Sequence, residues 1–306
     1  MNTQSNAVPG FDPMPAPATE TATRPLYWSI RRELWENRAV YIAPMAVASV
    51  FLFAFMISTV HLAQKMRAAF ALDAIHQREV IEQPYNFAAL LLMGTYLIVA
   101  AFYCLDALYG ERRDRSILFW KSLPVSDLTA VLSKASIPLV ILPLLTFAIT
   151  LVTQWIMLLL STAVLAGSGM SPAPLWTQLP MFQMSLGLFN HLIGVHALYY
   201  APIYGWLLLV SAWARRAPFV WAALPLFVIG IVEKIAFNTT HFAHMLALRL
   251  SGGAESIPFP VSNGAMHPAH SASVPFLLSP GLWIGFFLCA LFLAGAVRLR
   301  RSQGPI

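Results

Sequence analysis

The stretch DALYGERRDRSILFWKSLPVSDLTAVLSK, residues 106–134, is a charged, amphipathic connector between two long apolar segments. A run of charged residues comes first, and the apolar patch ILFW follows it. Leu123 and Pro124 then interrupt the pattern, and Ser126 with Asp127 is typical of the N-cap of a new helix. The pattern predicts a short amphipathic helix at a membrane surface. Its apolar side either docks into a groove on a soluble partner or lies on the lipid headgroups.

The composition indicates an integral membrane protein. The chain has 306 residues, of which 58% are hydrophobic and 10% are charged, and its mean hydropathy is +0.67. Soluble domains carry roughly a quarter charged residues. The formal net charge of +6 therefore relates to membrane topology, and no nucleic-acid partner is expected. The two cysteines, Cys104 and Cys289, lie in apolar runs and predict buried thiols rather than a disulfide framework.

Six stretches are long and apolar enough to be transmembrane helices, each of which needs about 20 residues. They are 40–61, 87–108, 135–165, 185–213, 219–237 and 280–297. The third and fourth exceed one crossing, so we expect them to tilt or to bend at Pro138, Pro143 or Pro202. The predicted fold class is an all-α integral membrane protein with six transmembrane helices.

Segments outside the predicted spans have their own patterns. Residues 26–37 predict an amphipathic interfacial helix, with apolar residues at four-residue spacing. The polar residues 1–23 predict a disordered cytosolic tail rather than a signal peptide, so 24–306 form one transmembrane domain. A short helix with a turn at Pro84 is expected before the second span, and an amphipathic helix at 240–250.

The basic residues predict the orientation of the spans. With the N-terminus in the cytosol, 14 of the 19 Lys and Arg residues, Lys134 and Arg300 among them, fall on the cytosolic side. Because Lys and Arg concentrate on the cytosolic side of membrane proteins, we expect both termini to be cytoplasmic.

No catalytic motif is present in the chain. The phosphate-binding pattern G-x-x-x-x-G-K-[ST], the zinc-protease pattern H-E-x-x-H and the hydrolase pattern G-x-S-x-G are all missing. We therefore expect no enzyme activity and no cofactor in this chain, and any energised work would draw on another chain or on an ion gradient.

Polar residues in the fourth and fifth predicted spans are candidates for a gate or a substrate contact. They are Asn190, His191, His196, Glu233 and Lys234, with Tyr200 near Pro202 as a further pathway candidate. Charges at such depth cost roughly 2.5–3.5 kcal/mol unless they are paired. A gate and a purely structural pairing both fit this pattern.

Two histidine pairs raise the question of a metal site. His241 with His244, and His267 with His270, have the i, i+3 spacing that suits Zn or Cu on a helix. No cysteine or carboxylate completes either pair, and His267-Pro-Ala-His270 is not a helical sequence. We expect no metal site here.

The run ERRDRSILFWKSLPVSD, residues 111–127, resembles the first cytoplasmic loop of ABC-2 type transporter permeases. Six spans, cytoplasmic termini and an N-terminal interfacial helix are similar to that family's architecture. The resemblance covers nearly the whole chain after residue 24.

The resemblance implies one half of an export pathway in the bacterial cytoplasmic (inner) membrane. A second copy or a paralogue would form the other half, and two separate P-loop ATPase subunits would bind ATP and Mg. The loop 110–134 would couple to them. The residues implied at the coupling site are Glu111, Arg112, Arg113, Asp114, Arg115, Ile117, Phe119, Trp120 and Lys121, with Arg31, Glu33 and Trp35 on the connecting helix.

Three other classes share parts of this pattern. A gradient-driven carrier needs an ionisable group inside the membrane, and Glu233 is the best candidate. A non-transport scaffold or signalling subunit would share the topology without depending on an ATPase. A metal-dependent membrane enzyme would depend on His241 and His244.

Overall fold

Helices account for nearly all of the chain that the computed structural model describes, which is residues 25–122, 125–250 and 279–304, and no strand occurs in these ranges. Five helices are long and apolar enough to cross a membrane, and two further helices joined by a 45° bend form a sixth candidate. The prediction of an all-α protein with several helices long and apolar enough to cross a membrane is confirmed for the described residues. The predicted tail, 1–23, and the predicted break at 123–124 lie outside the described residues.

The helices are numbered in chain order. The first four are α1 (Pro25–Glu36), α2 (Ala39–Ser58), α3 (Leu62–Phe70) and α4 (Ala74–Ala107). Three shorter helices follow, α5 (Tyr109–Arg113), α6 (Ser116–Ser122) and α7 (Asp127–Ser136). The others are α8 (Leu142–Gly167), α9 (Ala173–Gln178), α10 (Met181–His191), α11 (Ala201–Trp213), α12 (Pro218–Phe237), α13 (His241–Leu250) and α14 (Pro280–Ser302).

Neighbouring helices join into the longer units that could span a membrane. These units are Ala39–Phe70, Ile75–Arg113, Asp127–Gly167, Pro218–Phe237 and Pro280–Ser302, with the bent pair Met181–Tyr199 and Ala201–Trp213. Each contains one predicted span, and the predicted number of six is reached when the bent pair is counted as one span. The predicted helices near 26–37 and 240–250 are α1 and α13, and Ser126 accepts a hydrogen bond from the Thr129 amide as the predicted cap of α7.

The predicted turn at Pro84 is wrong. Pro84 lies inside α4, and the chain turns earlier, at 71–73, where the extended backbone of Asp73 precedes the helix. A proline inside a helix costs about 3 kcal/mol. Ile81 and Tyr85 on either side of it are buried, and burying such side chains contributes roughly 1.5–3 kcal/mol each. Tertiary packing therefore keeps the helix intact across the proline.

Two units contain π-helical segments, Ile137–Ile141 between α7 and α8, and Leu192–Tyr199 between α10 and α11. In the first, the Leu142 amide donates to the carbonyl of the segment's first residue, five positions back rather than four. The next residue along, Pro143, has no N–H, so the Pro138 carbonyl has no backbone donor in this register. The predicted irregularity at these prolines is thus a change of hydrogen-bond register.

The two ends of the bundle differ. One end, called the basic end, carries α1, α5, α6 and α7, which contact each other and the last turns of α11 and α14. The other, called the distal end, carries α3, α9 and α13. Between them, α11 and α14 pack closely, because Gly205 leaves room for the backbone of Cys289. As predicted, Cys104 and Cys289 are buried free thiols.

Candidate functional site

A buried ion cluster joins four helices at the basic end. Lys134 Nζ lies 2.9 Å from Glu33 Oε1 and 3.2 Å from Glu111 Oε1. Arg300 Nη2 lies 3.1 Å from Glu111 Oε2, and its Nη1 lies 2.6 Å from Asp127 Oδ1. All of these side chains are buried except Asp127, which is half-buried. The cluster therefore links α1, α5, α7 and α14 inside the protein.

Arg32 brings the ion cluster to three acidic and three basic side chains. Its guanidinium Nη2 is 2.9 Å from Glu33 Oε1 and 3.0 Å from Glu111 Oε1. Tyr103 of α4 donates a hydrogen bond of 3.0 Å to the second oxygen of Glu33. A buried charge without a partner costs several kcal/mol, so the six charges stabilise one another only in this arrangement.

A second set of contacts ties the end of α11 to the start of α5. Arg112 Nη1 donates to the Ala212 carbonyl and, at 3.3 Å, to the Ala214 carbonyl. The Ser211 hydroxyl accepts from the amides of Leu108 and Tyr109, at 3.0 and 2.9 Å. These bonds satisfy carbonyl and amide groups that helix ends leave without partners. Arg112, one of the residues implied at the coupling site, thus holds backbone carbonyls of α11 and its end.

Next to the ion cluster, α6 presents an apolar surface. Arg115, in the left-handed region at φ 58°, turns the chain between α5 and α6. Ile117 is buried with an exposure of 1%, whereas Leu118 and Phe119 are 58% and 59% exposed. The guanidinium of Arg32 stacks over the Trp120 ring at 3.6 Å from its centroid. Ile117 therefore anchors α6, and the exposed apolar side chains of this helix are Leu118 and Phe119.

The other predicted coupling residues have mixed positions. Arg113 Nε donates to Asp114 Oδ1 at 2.9 Å, and this hydrogen bond lowers the pKa of the Asp114 carboxyl. Lys121 donates to the Gln303 carbonyl at 3.2 Å. On α1, Glu33 lies inside the ion cluster, whereas Arg31 is exposed and stacks on the exposed Trp35 ring at 5.4 Å.

A second polar arrangement lies deeper in the bundle, where Tyr96 of α4 meets both π-helical segments. Its hydroxyl oxygen is 2.7 Å from the Pro138 carbonyl oxygen and 3.0 Å from that of His196. Tyr204 donates a hydrogen bond of 3.0 Å to the same hydroxyl. Because a hydroxyl has one proton, Tyr96 donates to one of the two carbonyls at a time.

One predicted gate residue of the fourth span, His196, contacts this tyrosine, and two others contact His196. The ring of His196 lies 5.2 Å from that of Tyr96, 5.1 Å from that of His191 and 5.4 Å from that of Tyr200, between centroids. His196 and Tyr200 are buried, and Asn190 and His191 are half-buried. The structure thus brings the predicted histidines and Tyr200 together.

The two predicted gate residues of the fifth span, Glu233 and Lys234, are not part of this cluster of rings. Glu233 accepts hydrogen bonds from the Thr239 hydroxyl at 2.8 Å and from the amides of His241 and Phe242 at 2.7 and 2.9 Å. These bonds cap the first turn of α13. Lys234, its neighbour on α12, is exposed. Glu233 is therefore a helix cap, separate from the histidine cluster.

The histidines considered for metal binding do not gather into a site within the described residues. His241 and His244 are exposed at the start of α13. No group of three or more His, Cys, Asp and Glu residues suited to a metal ion occurs in 25–122, 125–250 or 279–304. His267 and His270 lie outside these ranges.

Sequence reasoning missed several members of these two arrangements. Lys134 and Arg300 entered it only as charges that set topology, and Asp127 only as part of a helix cap. Tyr96 and Tyr103 carried no signal at all, because a tyrosine in an apolar span reads as packing. A charge at the end of an apolar span, with an opposite charge elsewhere in the chain, is the pattern that points to such pairing.

No protein-family model, no curated protein and no solved structure matches this chain. The two arrangements are therefore interpreted from their own geometry.

Replacing Lys134 with Met tests the ion cluster. The change leaves Glu33 and Glu111 buried with too little positive charge, so we expect about 3–5 kcal/mol of destabilisation. Thermal unfolding of the purified protein measures it. The exposed Lys65→Met is the matched control and should unfold like the wild type. Recovery of part of the loss in Glu33→Gln/Lys134→Met identifies the unpaired acid as the cause, and equal melting of Lys134→Met and wild type would contradict the cluster.

Replacing Tyr96 with Phe tests the link between the π-helical segments. Removal of the hydroxyl leaves the Pro138 and His196 carbonyls without this donor, and we expect a loss of roughly 1–3 kcal/mol. Tyr85→Phe on the same helix is the control, because the Tyr85 hydroxyl is buried and bridges no backbone carbonyls within the described residues. The two variants melting alike would show that the Tyr96 bridge does not stabilise the fold.

Proposed function

We propose that this chain is the membrane-spanning permease subunit of an ABC-2 type transporter and couples to separate ATPase subunits through α6. One observation carries the proposal: α6 exposes Leu118 and Phe119 while Ile117 and Trp120 fix the same helix to the protein. A short helix with an exposed apolar edge fits a groove on a soluble partner. The resemblance of residues 111–127 to the family's first cytoplasmic loop supports the same identification.

The attachment of α6 suits the transmission of movement. Arg32 stacks on Trp120 of α6 and also pairs with Glu111 of the ion cluster, so α6 is joined to α1 and α5 by one side chain. From Glu111 the contacts continue to Lys134 of α7 and Arg300 of α14. A partner that displaces α6 would therefore displace the ends of three candidate spans.

The translocation pathway, in this proposal, follows the two irregular spans. π-Helical segments frequently mark functional sites, and here two of them meet at Tyr96 beside His196 and Tyr200. Helices with a broken hydrogen-bond register bend at lower cost than regular ones. A second copy of this chain or a paralogue supplies the other half of the pathway, and the largely exposed apolar sides of α2 and α12 are available to lipid and to that partner.

In this proposal, the energy source is inferred from a missing sequence motif and the orientation from the distribution of Lys and Arg. The chain lacks a phosphate-binding motif, so two partner ATPases bind the ATP and Mg²⁺. The basic end faces the cytosol, where Lys and Arg concentrate, and the protein resides in a bacterial cytoplasmic membrane. Export is the direction that the family resemblance favours.

A gradient-driven carrier is less well supported. Such a carrier needs an ionisable group that exchanges its ion during transport. Glu233, the carboxylate best suited by sequence, already accepts three hydrogen bonds from Thr239, His241 and Phe242. Exchange there would require α13 to lose its cap in every cycle.

The Phe119→Asp variant tests the coupling surface. A charge on the exposed edge of α6 should abolish co-purification of a P-loop ATPase from host membranes and reduce transport-linked ATP hydrolysis by about tenfold or more. Because Phe119 is exposed, insertion and melting temperature should be unchanged. The measurement is pull-down of the tagged chain, followed by identification of bound subunits and an ATPase assay.

Leu72→Asp is the control for this experiment. Leu72 is an exposed apolar residue of similar exposure, 47%, but it lies at the distal end. ATPase recovery by wild type and Leu72→Asp, with loss in Phe119→Asp, supports the proposal. Equal recovery by Phe119→Asp would remove α6 as the docking site, and a wild-type preparation without any ATPase would favour the carrier or the scaffold.

A further inference from the structure

The helix α13 is attached to the distal end of the bundle by its two ends. At its start, Glu233 of α12 accepts the amides of His241 and Phe242. The left-handed Asn238, at φ 50°, reverses the chain between α12 and α13. At its last residue, the Leu250 carbonyl accepts a hydrogen bond of 2.8 Å from the Tyr200 hydroxyl. The helix thus reaches from the fifth candidate span to the fourth.

The last turn of α13 carries an arginine that fits into a gap on α14. Arg249 Nη1 donates to the Gly281 carbonyl at 3.0 Å, and the guanidinium lies 4.2 Å above the Tyr199 ring. Its Nη2 is so close to Gly285 that a Cβ atom there would lie 1.8 Å away. Only glycine at position 285 leaves space for this guanidinium, whereas a Cβ at position 281 would meet nothing within 4 Å.

Burial contributes little to this attachment. No residue of α13 is fully buried among the described ranges, so the helix is held by its terminal contacts rather than by a hydrophobic core. Elements with few buried apolar contacts open locally at low free-energy cost.

Arg249 adds a positive charge to the attachment of α13. It forms no ion pair within the described residues, and partial burial lowers the pKa of its guanidinium. The described residues thus give this half-buried cation hydrogen-bond and ring contacts rather than an acidic partner, and such contacts stabilise a buried charge less than an ion pair does. Moderate changes in these contacts can therefore detach α13 from its docked position.

We propose that α13 is a releasable strap that closes the distal end of the bundle over Tyr199 and Tyr200, with Arg249 against Gly285 as its clasp. Beneath the strap, Tyr200 contacts His196, which contacts Tyr96 between the π-helical segments. Release of α13 opens the distal side of this chain of rings. The strap operates whether transport is driven by an ATPase or by a gradient, so its test is independent of the proposed function.

Hydrogen–deuterium exchange on the full-length chain in lipid nanodiscs tests the strap. Gly285→Ala places a methyl group where Nη2 lies, and Arg249→Gln removes the guanidinium without adding bulk. Both should speed exchange of the amides in 241–250 by about tenfold or more, since each removes contacts to a charged group. Tyr200→Phe, which removes the bond to Leu250, should produce a smaller acceleration.

Gly281→Ala is the matched control, because it adds the same methyl group one turn away on α14 in open space and keeps the carbonyl that Arg249 uses. It should exchange like the wild type. Unchanged exchange in both Gly285→Ala and Arg249→Gln would overturn the proposal, as would equal acceleration in Gly281→Ala. If Gly285→Ala also accelerates α11, the packing of the span itself has been disturbed, and Arg249→Gln alone then decides.

Discussion

The pairing of Glu33 and Glu111 with Lys134 is the interaction on which the basic end depends. Each of these charges would cost several kcal/mol if it were buried alone. The cost is offset only when α1, α5 and α7 are all in position, and Arg300 extends the same condition to α14. The four helices therefore stabilise each other cooperatively. The cluster also fixes the orientation of the short helix α6, because Arg32 contacts both Glu111 and Trp120.

The helix α4 connects this cluster to the irregular part of the bundle through two tyrosines. Tyr96 and Tyr103 are seven residues apart and therefore lie on one face of α4. Tyr103 donates to Glu33 at the basic end, and Tyr96 donates to a carbonyl released by the π register. A shift of α4 along its axis would change both hydrogen bonds together. The ion cluster and the irregular segments are thus mechanically linked through α4, in addition to the direct link through α7, where the Ile137 amide of the first π-helical segment donates to the Lys134 carbonyl.

Local sequence patterns predicted the helices, but they did not predict the ion pairs between residues that are far apart in the chain. Spacing and caps were sufficient for α1, α7 and α13, because those signals lie within a few residues of each other. The Lys134–Glu33 bond joins residues 101 positions apart, and nothing in either neighbourhood selects the other. The predicted turn at Pro84 was wrong for a related reason. Proline predicts a break from the local sequence, but the helix is kept intact by the burial of Ile81 and Tyr85, which depends on the rest of the fold. At Pro143 the proline correctly predicted that the helix is irregular, but it did not predict that the irregularity is a π-helical segment.

The ion cluster at the basic end and Arg249 at the distal end hold their charges in opposite ways. At the basic end, the acids and bases of the ion cluster are paired and mostly buried, so separating any two exposes an uncompensated charge. At the distal end, Arg249 rests against Gly285 and Tyr199 with no acid beside it among the residues that the structure describes, and its helix has no fully buried residue in that part of the chain. Release of α13 at the distal end breaks a few hydrogen bonds, whereas opening the basic end separates paired buried charges. A conformational change that keeps the ion cluster intact therefore moves the basic end as one body and separates helices at the distal end, where the π-helical segments allow the spans to bend.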